Sequence, residues 1–197
     1  MAVTLPPSAS GKLRVLMDLL AKWNRVYNLT GLPDEGAWVS HHLLDSLSIV
    51  PVLPDGRLID VGTGAGFPGL PIAVAEPDRD VVLLDSNQKK SAFLRHAVAE
   101  MRLHNVSVET IRVEEYKPQQ GFDVVVSRAF SSLPEFVRLA AHLCVHDGTL
   151  LAMKAVLRDE ELNQLPPGRI SKIVALSVPT LDAQRHAVFI SPASVAR

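Results

Sequence analysis

The sequence contains little of what marks secreted, membrane-bound or strongly basic proteins. It has one cysteine, Cys144, so no internal disulfide can form, and we expect a reducing, cytoplasmic location. No run approaches the roughly 20 apolar residues of a membrane span, and the first residues lack the basic and apolar segments of a signal peptide, so we expect no membrane association. The formal net charge is −1, so any contact with nucleic acid must come from a local basic patch.

The composition is that of a globular protein, with 47% hydrophobic and 21% charged residues in a chain of 197. We predict a tail and a helical cap in residues 1–50 and one compact domain in residues 51–197. Apolar residues at helical spacing predict a first helix that begins near Ser10. A second helix is expected to open at Pro33 and to run to about Val50.

A glycine-rich loop follows the first apolar run of the predicted domain. Leu58-Ile-Asp-Val61 is typical of a buried strand, and four glycines between positions 62 and 69 separate it from the apolar run 70–75, which we predict to be a helix. Glycine permits a tight turn and lets a ligand approach bare backbone. Strand, glycine loop and helix form the arrangement in which an open α/β sheet holds a nucleotide-like ligand.

The loop residues leave two ligands open. Gly64-Ala-Gly-Phe-Pro-Gly69 fits a dinucleotide fingerprint, and Asp85 lies about 20 residues downstream, as that motif requires. Counted from Gly62, the loop instead has the Asp-x-Gly-x-Gly-x-Gly form of S-adenosylmethionine (SAM) methyltransferases. The second frame fits the strand better, because the first glycine should lie at the strand end.

Strands and helices alternate along the rest of the domain. The further predicted strands are residues 80–85, 106–110, 122–126, 148–153, 170–178 and 186–190. The alternation indicates a doubly wound, mostly parallel sheet. No helix is evident between the last two strands, so we expect them to form an antiparallel hairpin.

In such a sheet a ligand binds outside the carboxyl ends of the strands, where the strand order reverses. Asp85 ends the second strand, where its carboxylate can accept two ribose hydroxyls or cap the next helix. Val113 and Glu114 follow the third strand, in a loop that either meets an adenine edge or is simply solvated. Arg128 and Lys154 end the fourth and fifth strands and suit either an anionic ligand or a surface ion pair.

Several runs of residues together resemble one known family, RsmG (also called GidB), from about Trp23 to about Phe189. These runs are Tyr27-Asn-Leu-Thr30, His42-Leu-Leu-Asp-Ser-Leu47, Asp60-Val-Gly-Thr-Gly-Ala-Gly-Phe-Pro-Gly-Leu-Pro71, Leu84-Asp-Ser86, Arg112-Val-Glu-Glu115, Ser127-Arg-Ala-Phe130 and Met153-Lys154. Among them, the Gly-Phe-Pro-Gly and Ser-Arg-Ala-Phe runs are specific, because most SAM enzymes have neither.

The resemblance implies a SAM-dependent methyltransferase that makes 7-methylguanosine in the 530 loop of 16S ribosomal RNA. It implies the class I methyltransferase fold, a Rossmann-like α/β sheet of seven mostly parallel strands with an antiparallel last strand, here preceded by N-terminal helices. The partner is then 16S rRNA or the small ribosomal subunit, and we expect a monomer. The implied SAM-binding residues are Gly62, Phe67, Val113, Glu114 and Arg128, to which we add Gly64 and Gly66 from the loop and Asp85 for the ribose.

The implied chemistry needs little from the protein beyond placement. Guanine N7 carries an exposed lone pair and no proton, so its attack on a sulfonium methyl group requires no general base, and positioning supplies much of the acceleration. We therefore leave the catalytic residues unassigned, with Arg128 and Lys154 as candidates. Together with Arg185 and His186, these two are the residues that we expect to contact the RNA.

Two functions of other classes stay open at this point. One is an NAD-linked oxidoreductase that uses the alternative glycine frame, and the other is a non-catalytic RNA-binding protein that keeps the fold. We predict no metal site, because His142 and His146 have metal-like spacing but no evident third ligand.

Overall fold

A computed structural model of the chain describes residues 3–32, 34–130 and 132–192. Its centre is a seven-stranded sheet that is covered by helices on both faces. The strands are β1 (Leu58–Val61), β2 (Val81–Leu84), β3 (Val106–Glu109), β4 (Phe122–Ser127), β5 (Cys144–Lys154), β6 (Ile170–Ala175) and β7 (His186–Ile190). The α-helices are α1 (Ala9–Tyr27), α2 (Asp45–Leu47), α3 (Gly69–Ala75), α4 (Gln88–Glu100), α5 (Leu133–Ala140) and α6 (Asp159–Leu162). None of these helices has the length and apolar character needed to cross a membrane.

Side chains of β1 alternate between the two faces of the sheet. Leu58 packs in a cluster with α1, α3 and α4, whereas Ile59 and Val61 pack in a second cluster with α5. All four residues of the strand are buried. Because both faces are covered, the strand is a nearly continuous apolar run rather than an alternation of apolar and polar residues.

The strands lie in the order β3-β2-β1-β4-β5-β7-β6. The pairs among the first five strands are parallel, and β7 is antiparallel to both of its neighbours. This confirms the predicted sheet, including its antiparallel last strand. The order reverses between β1 and β4, so a crevice opens beyond the carboxyl ends of these two strands.

The start of β5 differs from the prediction. The strand begins at Cys144 rather than Gly148 and includes His146 and Asp147, which are both exposed. Exposed polar side chains in that first part hide the strand from an analysis based on apolar runs. The edge strand β6 also differs from the prediction, because it ends at Ala175, before the predicted end at residue 178.

The first helix is shifted slightly from its predicted start. It begins at Ala9, so Ser10 is not its N-cap; Ser8 holds that position, and its side chain makes no capping hydrogen bond to the described residues. The helix ends at Tyr27 because Asn28 adopts the left-handed conformation, with φ of 48°. Asparagine tolerates this conformation better than most residues do.

Our prediction of a single second helix is wrong in detail. The expected first residue of that helix, Pro33, lies outside the described residues. The segment consists of a 3-10 turn, a π-helical stretch, α2 and a second 3-10 turn, at Glu35–Ala37, Val39–Leu44, Asp45–Leu47 and Val50–Val52. Side-chain hydroxyls of Ser40, Ser46 and Ser48 donate to backbone carbonyls three or four residues earlier. Such local bonds compete with a regular helical ladder.

The N-terminal helix packs on the helices that cover one face of the sheet. It contacts α3 and α4, and the Trp23 indole N–H donates to Nδ1 of His96 at 3.1 Å. The Trp23 ring also meets the edge of Phe93, with 5.7 Å between ring centroids. The division of the chain at residue 50 into a cap and a compact domain stays a prediction.

The close packing at the start of α3 can be tested with two glycine substitutions. In Gly69→Ala the new Cβ would lie 2.3 Å from Cδ2 of Leu83 and 2.9 Å from Oδ2 of Asp60. We expect a loss of about 1–3 kcal/mol in the free energy of unfolding, because the core cannot accept the extra methyl group. The control is Gly11→Ala in the first turn of α1, where the new Cβ would have no other atom of the described residues within 4 Å apart from the adjacent residues and the backbone of the helix itself; stability should be unchanged or rise by up to about 1 kcal/mol. Urea unfolding measures both, and an equal effect of the two changes would contradict the prediction.

Candidate functional site

Two adjoining cavities lie where the strand order reverses. The first has a volume of about 350 Å³ and is lined by residues that follow β1, β2, β3 and β4. The second has a volume of about 230 Å³ and is lined by the segment after α1, by the glycine loop and by the end of β4. Gly62 and Ala129 line both cavities. The crevice is therefore one site with two compartments.

The glycine loop forms the floor that the two cavities share. Gly62 and Gly64 have φ of 68° and 63°, in the left-handed region that an L side chain rarely adopts. A Cβ on Gly62 would also lie 3.0 Å from Cβ of Ala129. Because β1 ends at Val61, the first glycine after the strand is Gly62, which favours the frame counted from that residue over the dinucleotide frame.

Asp85 ends β2 beside the loop and lines the first cavity. Its Oδ2 accepts a hydrogen bond from the Gly64 N–H at 2.9 Å, and its Oδ1 accepts one from the Asn87 N–H at 2.8 Å. Each carboxylate oxygen has a second lone pair, so holding the loop and accepting hydroxyls from a ligand are compatible. Helix α4 is capped by Asn87 instead, whose side chain accepts from the N–H groups of Lys89 and Lys90.

Asp60 is fully buried beneath the loop. Its Oδ2 accepts hydrogen bonds from the Thr63 hydroxyl at 2.6 Å and from the Gly69 N–H at 2.8 Å, whereas its Oδ1 has no partner among the described residues. Burial raises the pKa of Asp60 to about 6, and the two hydrogen bonds oppose this rise. One carboxylate thus holds both the loop and the first residue of α3.

A buried ion cluster holds Arg128, which lines the second cavity. The Asp45 carboxylate has only 3% of its side chain exposed and accepts from Nη1 of Arg128 and from Nε of Arg185, each at 2.9 Å. Nη1 of Arg128 also donates to the carbonyl of His41 at 3.0 Å. The cluster carries one net positive charge, and Asp45 fixes where its two guanidinium groups lie.

His42 completes the wall of the second cavity. Its ring stacks on Phe67 with 5.0 Å between centroids, and its Nδ1 accepts from Nη2 of Arg128 at 3.3 Å. Arginine can only donate, so the ring proton is on Nε2, which donates to Oγ1 of Thr30 at 2.7 Å. Burial, and then the charge of Arg128, lowers the pKa of His42 to about 4. The imidazole is therefore neutral at pH 7.

The structure brings together most of the residues that the sequence singled out. Gly62, Asp85, Val113 and Glu114 line the first cavity. Gly62, Gly64, Phe67 and Arg128 line the second, and Arg185 joins Arg128 through Asp45. That any of these residues binds a ligand stays a prediction.

Four of the predicted residues line neither of these two cavities: Arg185, which reaches the site only through Asp45, and Gly66, Lys154 and His186. A Cβ on Gly66 would lie 2.3 Å from Cδ1 of Leu70, so this glycine serves the packing of α3. Lys154 forms an ion pair with Glu161 at 2.8 Å. His186 lies opposite Lys154 in the β5–β7 pairing. Among the residues that the structure describes, no group of three or more His, Cys, Asp or Glu is placed to hold a metal ion.

Sequence reasoning missed Asp45 and His42 as parts of the site. Both belong to the run His42-Leu-Leu-Asp-Ser-Leu47, which carried the resemblance but received no role. The available signal was an acidic residue in an otherwise apolar helical segment, where a buried charge needs a partner. Its partner Arg185 lies 140 positions away, so no local pattern could reveal it.

Comparison with known proteins identifies the family to which the chain belongs. The sequence profile of the family described as GidB, rRNA small subunit methyltransferase G, matches residues 10–188. The chain belongs to this family. Membership in the GidB family confirms the predicted resemblance and the prediction that the protein is a methyltransferase. It does not favour the oxidoreductase or the non-catalytic alternative.

Two curated relatives show how closely the chain resembles other members of the GidB family. Ribosomal RNA small subunit methyltransferase G of Chromobacterium violaceum is 53% identical over 178 residues, which cover 89% of this chain and 85% of that protein. The protein of the same name from Methylobacillus flagellatus is 47% identical over 190 residues, covering 96% of this chain and 92% of that protein.

Solved structures of more distant proteins share the fold. A ribosomal protein L11 methylase from Lactobacillus delbrueckii subsp. bulgaricus has a TM-score of 0.58 at 16% identity, covering 75% of this chain and 76% of that chain. A precorrin-6y C5,15-methyltransferase from Geobacter metallireducens has a TM-score of 0.51 at 15% identity, covering 74% and 85%. The GidB chain therefore has the predicted class I methyltransferase fold.

The buried cluster predicts different effects for two aspartates that pair with arginine. Asp45→Asn leaves two partly buried guanidinium groups without their carboxylate, and breaking a buried pair in this way should cost about 3–5 kcal/mol of stability. In the control, Asp80→Asn removes the carboxylate of the Arg57–Asp80 pair, whose Asp80 side chain is 56% exposed; the expected cost is below about 1 kcal/mol. Urea unfolding at pH 7 compares them, and similar losses would contradict a special role for Asp45.

The raised pKa of Asp60 predicts a pH dependence with a definite sign. The unfolded chain ionises this group from pH 3.8, but the folded chain does so only from about 6. The stability that Asp60 contributes is therefore fully present below pH 4. As the pH rises to 6, the free energy of unfolding falls by about 3 kcal/mol. Asp60→Asn, which cannot ionise, should gain stability relative to the wild type over that interval.

Urea unfolding of both proteins at a series of pH values between 4 and 8 measures this difference. Asp78→Asn, at an exposed site, controls for the loss of one acid. A difference between wild type and Asp60→Asn that stays constant with pH would rule out ionisation of Asp60 in this range.

Proposed function

We propose that the protein transfers a methyl group from SAM to N7 of a guanine in the 530 loop of 16S rRNA. The observation that carries the proposal is the joining of two cavities over one glycine, Gly62, in a chain of the GidB family. A two-substrate transfer needs two compartments that meet at the reacting atoms. The first cavity suits the cofactor and the second suits the base.

The residues around the first cavity fit the nucleoside part of SAM. Asp85 offers a carboxylate for ribose hydroxyls, and the open backbone at Gly62 and Gly64 permits close approach. Val113 and Glu114 line the opposite side, where a backbone N–H and a carboxylate suit an adenine edge. When bound, SAM supplies an electrophilic methyl group on a sulfonium.

The second cavity positions the nucleophile. Arg128 is held by Asp45 and by the His41 carbonyl, so the position of its guanidinium is fixed. The cluster of Asp45, Arg128 and Arg185 carries one net positive charge. Such a cation suits an RNA phosphate near the target base. The stacked pair of His42 and Phe67 forms a flat apolar wall, against which a purine can pack.

No proton needs to move at N7, and the site is consistent with this. His42 is neutral at pH 7 and is already engaged on both ring nitrogens, by Arg128 and Thr30. It therefore acts as a wall and a spacer rather than as a base. Rate acceleration then comes from alignment of the two substrates.

The proposed partner is 16S rRNA, either free or in the small subunit, and the protein acts as a cytoplasmic monomer. Lys154 at the end of β5 and His186 at the start of β7 remain proposed RNA contacts outside the two cavities, since neither residue lines one of them. Arg185 is better placed, because it shares Asp45 with Arg128.

The proposal predicts methylation that depends on Arg128. Labelled SAM is incubated with small subunits that lack this modification, and separately with naked 16S RNA, and the label is mapped to the 530 loop. Arg128→Ala should lower the rate of transfer on the order of 10²-fold, because misplacement of the base costs about that much. Arg138→Ala, an exposed arginine on α5, serves as the control and should react normally.

Three outcomes would count against the proposal. Near-normal turnover by Arg128→Ala would remove this residue from the site. Calorimetry that detects NAD binding but no S-adenosylhomocysteine binding would point to the oxidoreductase. Binding of RNA without incorporation of label by the wild type would indicate the non-catalytic alternative.

A further inference from the structure

We propose that a surface beside the two cavities docks the backbone of single-stranded rRNA and guides the target base into the second cavity. The surface joins the carboxyl end of α1 to the amino end of α4. We call it the α1–α4 platform and define it by Tyr27, Lys89 and Lys90. This inference rests on the proposed function, since it names the part of the protein that receives the RNA.

An exposed aromatic ring that is fixed in place lies at the centre of the platform. Tyr27 is 44% exposed, and its ring contacts Trp23 with 5.4 Å between centroids. Trp23 is itself held by the hydrogen bond to His96 and by the edge of Phe93. A ring that is held by its neighbours and is still exposed is suited to stacking with an unpaired base.

Two lysines make the platform locally basic. Lys89 is exposed, its Nζ lies 5.9 Å from the centroid of the Tyr27 ring, and Lys90 follows it in the first turn of α4. Within residues 3–32, 34–130 and 132–192, none of the platform cations forms an ion pair with a carboxylate. On a chain with a net charge of −1, this is a local excess of positive charge that attracts phosphates.

The platform extends to both cavities. Lys90 lines the first cavity, and its Nζ is 3.9 Å from the point where a Cβ would stand on Gly64. The chain leaves Tyr27 through Asn28 and enters the stretch 29–31, which lines the second cavity. A strand that crosses the platform is therefore carried to the compartment proposed for the guanine. A single strand fits this geometry, because the base must be unstacked to enter.

The test neutralises Lys89, the platform cation that lines neither of the two cavities. We expect Lys89→Gln to bind 16S RNA at least about threefold more weakly at moderate salt. Its affinity should also depend less on salt concentration, with a logarithmic slope smaller by about one for each phosphate that the variant no longer binds. The KM for RNA should rise, whereas kcat and the Kd for S-adenosylhomocysteine should stay at wild-type values.

A matched variant controls for the change in charge alone. Lys117→Gln removes one positive charge from an exposed position outside the platform, and it should bind RNA like the wild type. For the ring, Tyr27→Phe should keep the affinity and Tyr27→Ala should lose about tenfold, because stacking needs the ring but not its hydroxyl. Circular dichroism verifies that each variant is folded.

Equal losses in the two lysine variants would overturn the proposal, since net charge rather than the platform would then explain them. A platform variant that binds RNA normally, whatever its turnover, would overturn it as well. Failure of the wild type to methylate RNA would reject the proposed function instead. The platform would still be judged by RNA binding, because that comparison requires no turnover.

Discussion

The buried carboxylate of Asp60 determines the geometry of the crevice. Its Oδ2 accepts hydrogen bonds from the Thr63 hydroxyl and the Gly69 N–H, so a single atom connects the start of the loop to the start of α3. The chain between them must turn tightly, and Gly64 and Gly66 supply the positive φ values of this turn. The open backbone that a nucleoside can approach is thus a consequence of this attachment.

A second buried acid, Asp45, organises the opposite wall. It joins an arginine at the end of β4 to an arginine just before β7, and both ion pairs are largely shielded from water. Buried pairs contribute little net stability, but the loss of one partner is costly. The cluster therefore serves chiefly to place Arg128 beside the stacked rings of His42 and Phe67, which line the second cavity.

The two compartments differ in how the chain builds them. The first is made largely by residues at and after the ends of neighbouring parallel strands, with Lys90 of α4. The second also needs the stretch 29–31 and His42, which precede the sheet in sequence. The N-terminal segment therefore supplies part of the second compartment. The α1–α4 platform continues that compartment onto the surface.

The order of strands and helices, the glycine loop and the position of Asp85 were predictable from sequence, because apolar periodicity and glycine spacing act over only a few residues. The antiparallel β7 followed from the missing helix before it. The irregular helical segment around His42 and the pairing of Asp45 with Arg185 were not predictable. The polar start of β5 and the pairing of Lys154 with Glu161 were not predictable from the sequence either. In each of these cases the partner or the local geometry depends on which segments meet after packing, and only the tertiary structure brings together side chains that lie far apart along the chain.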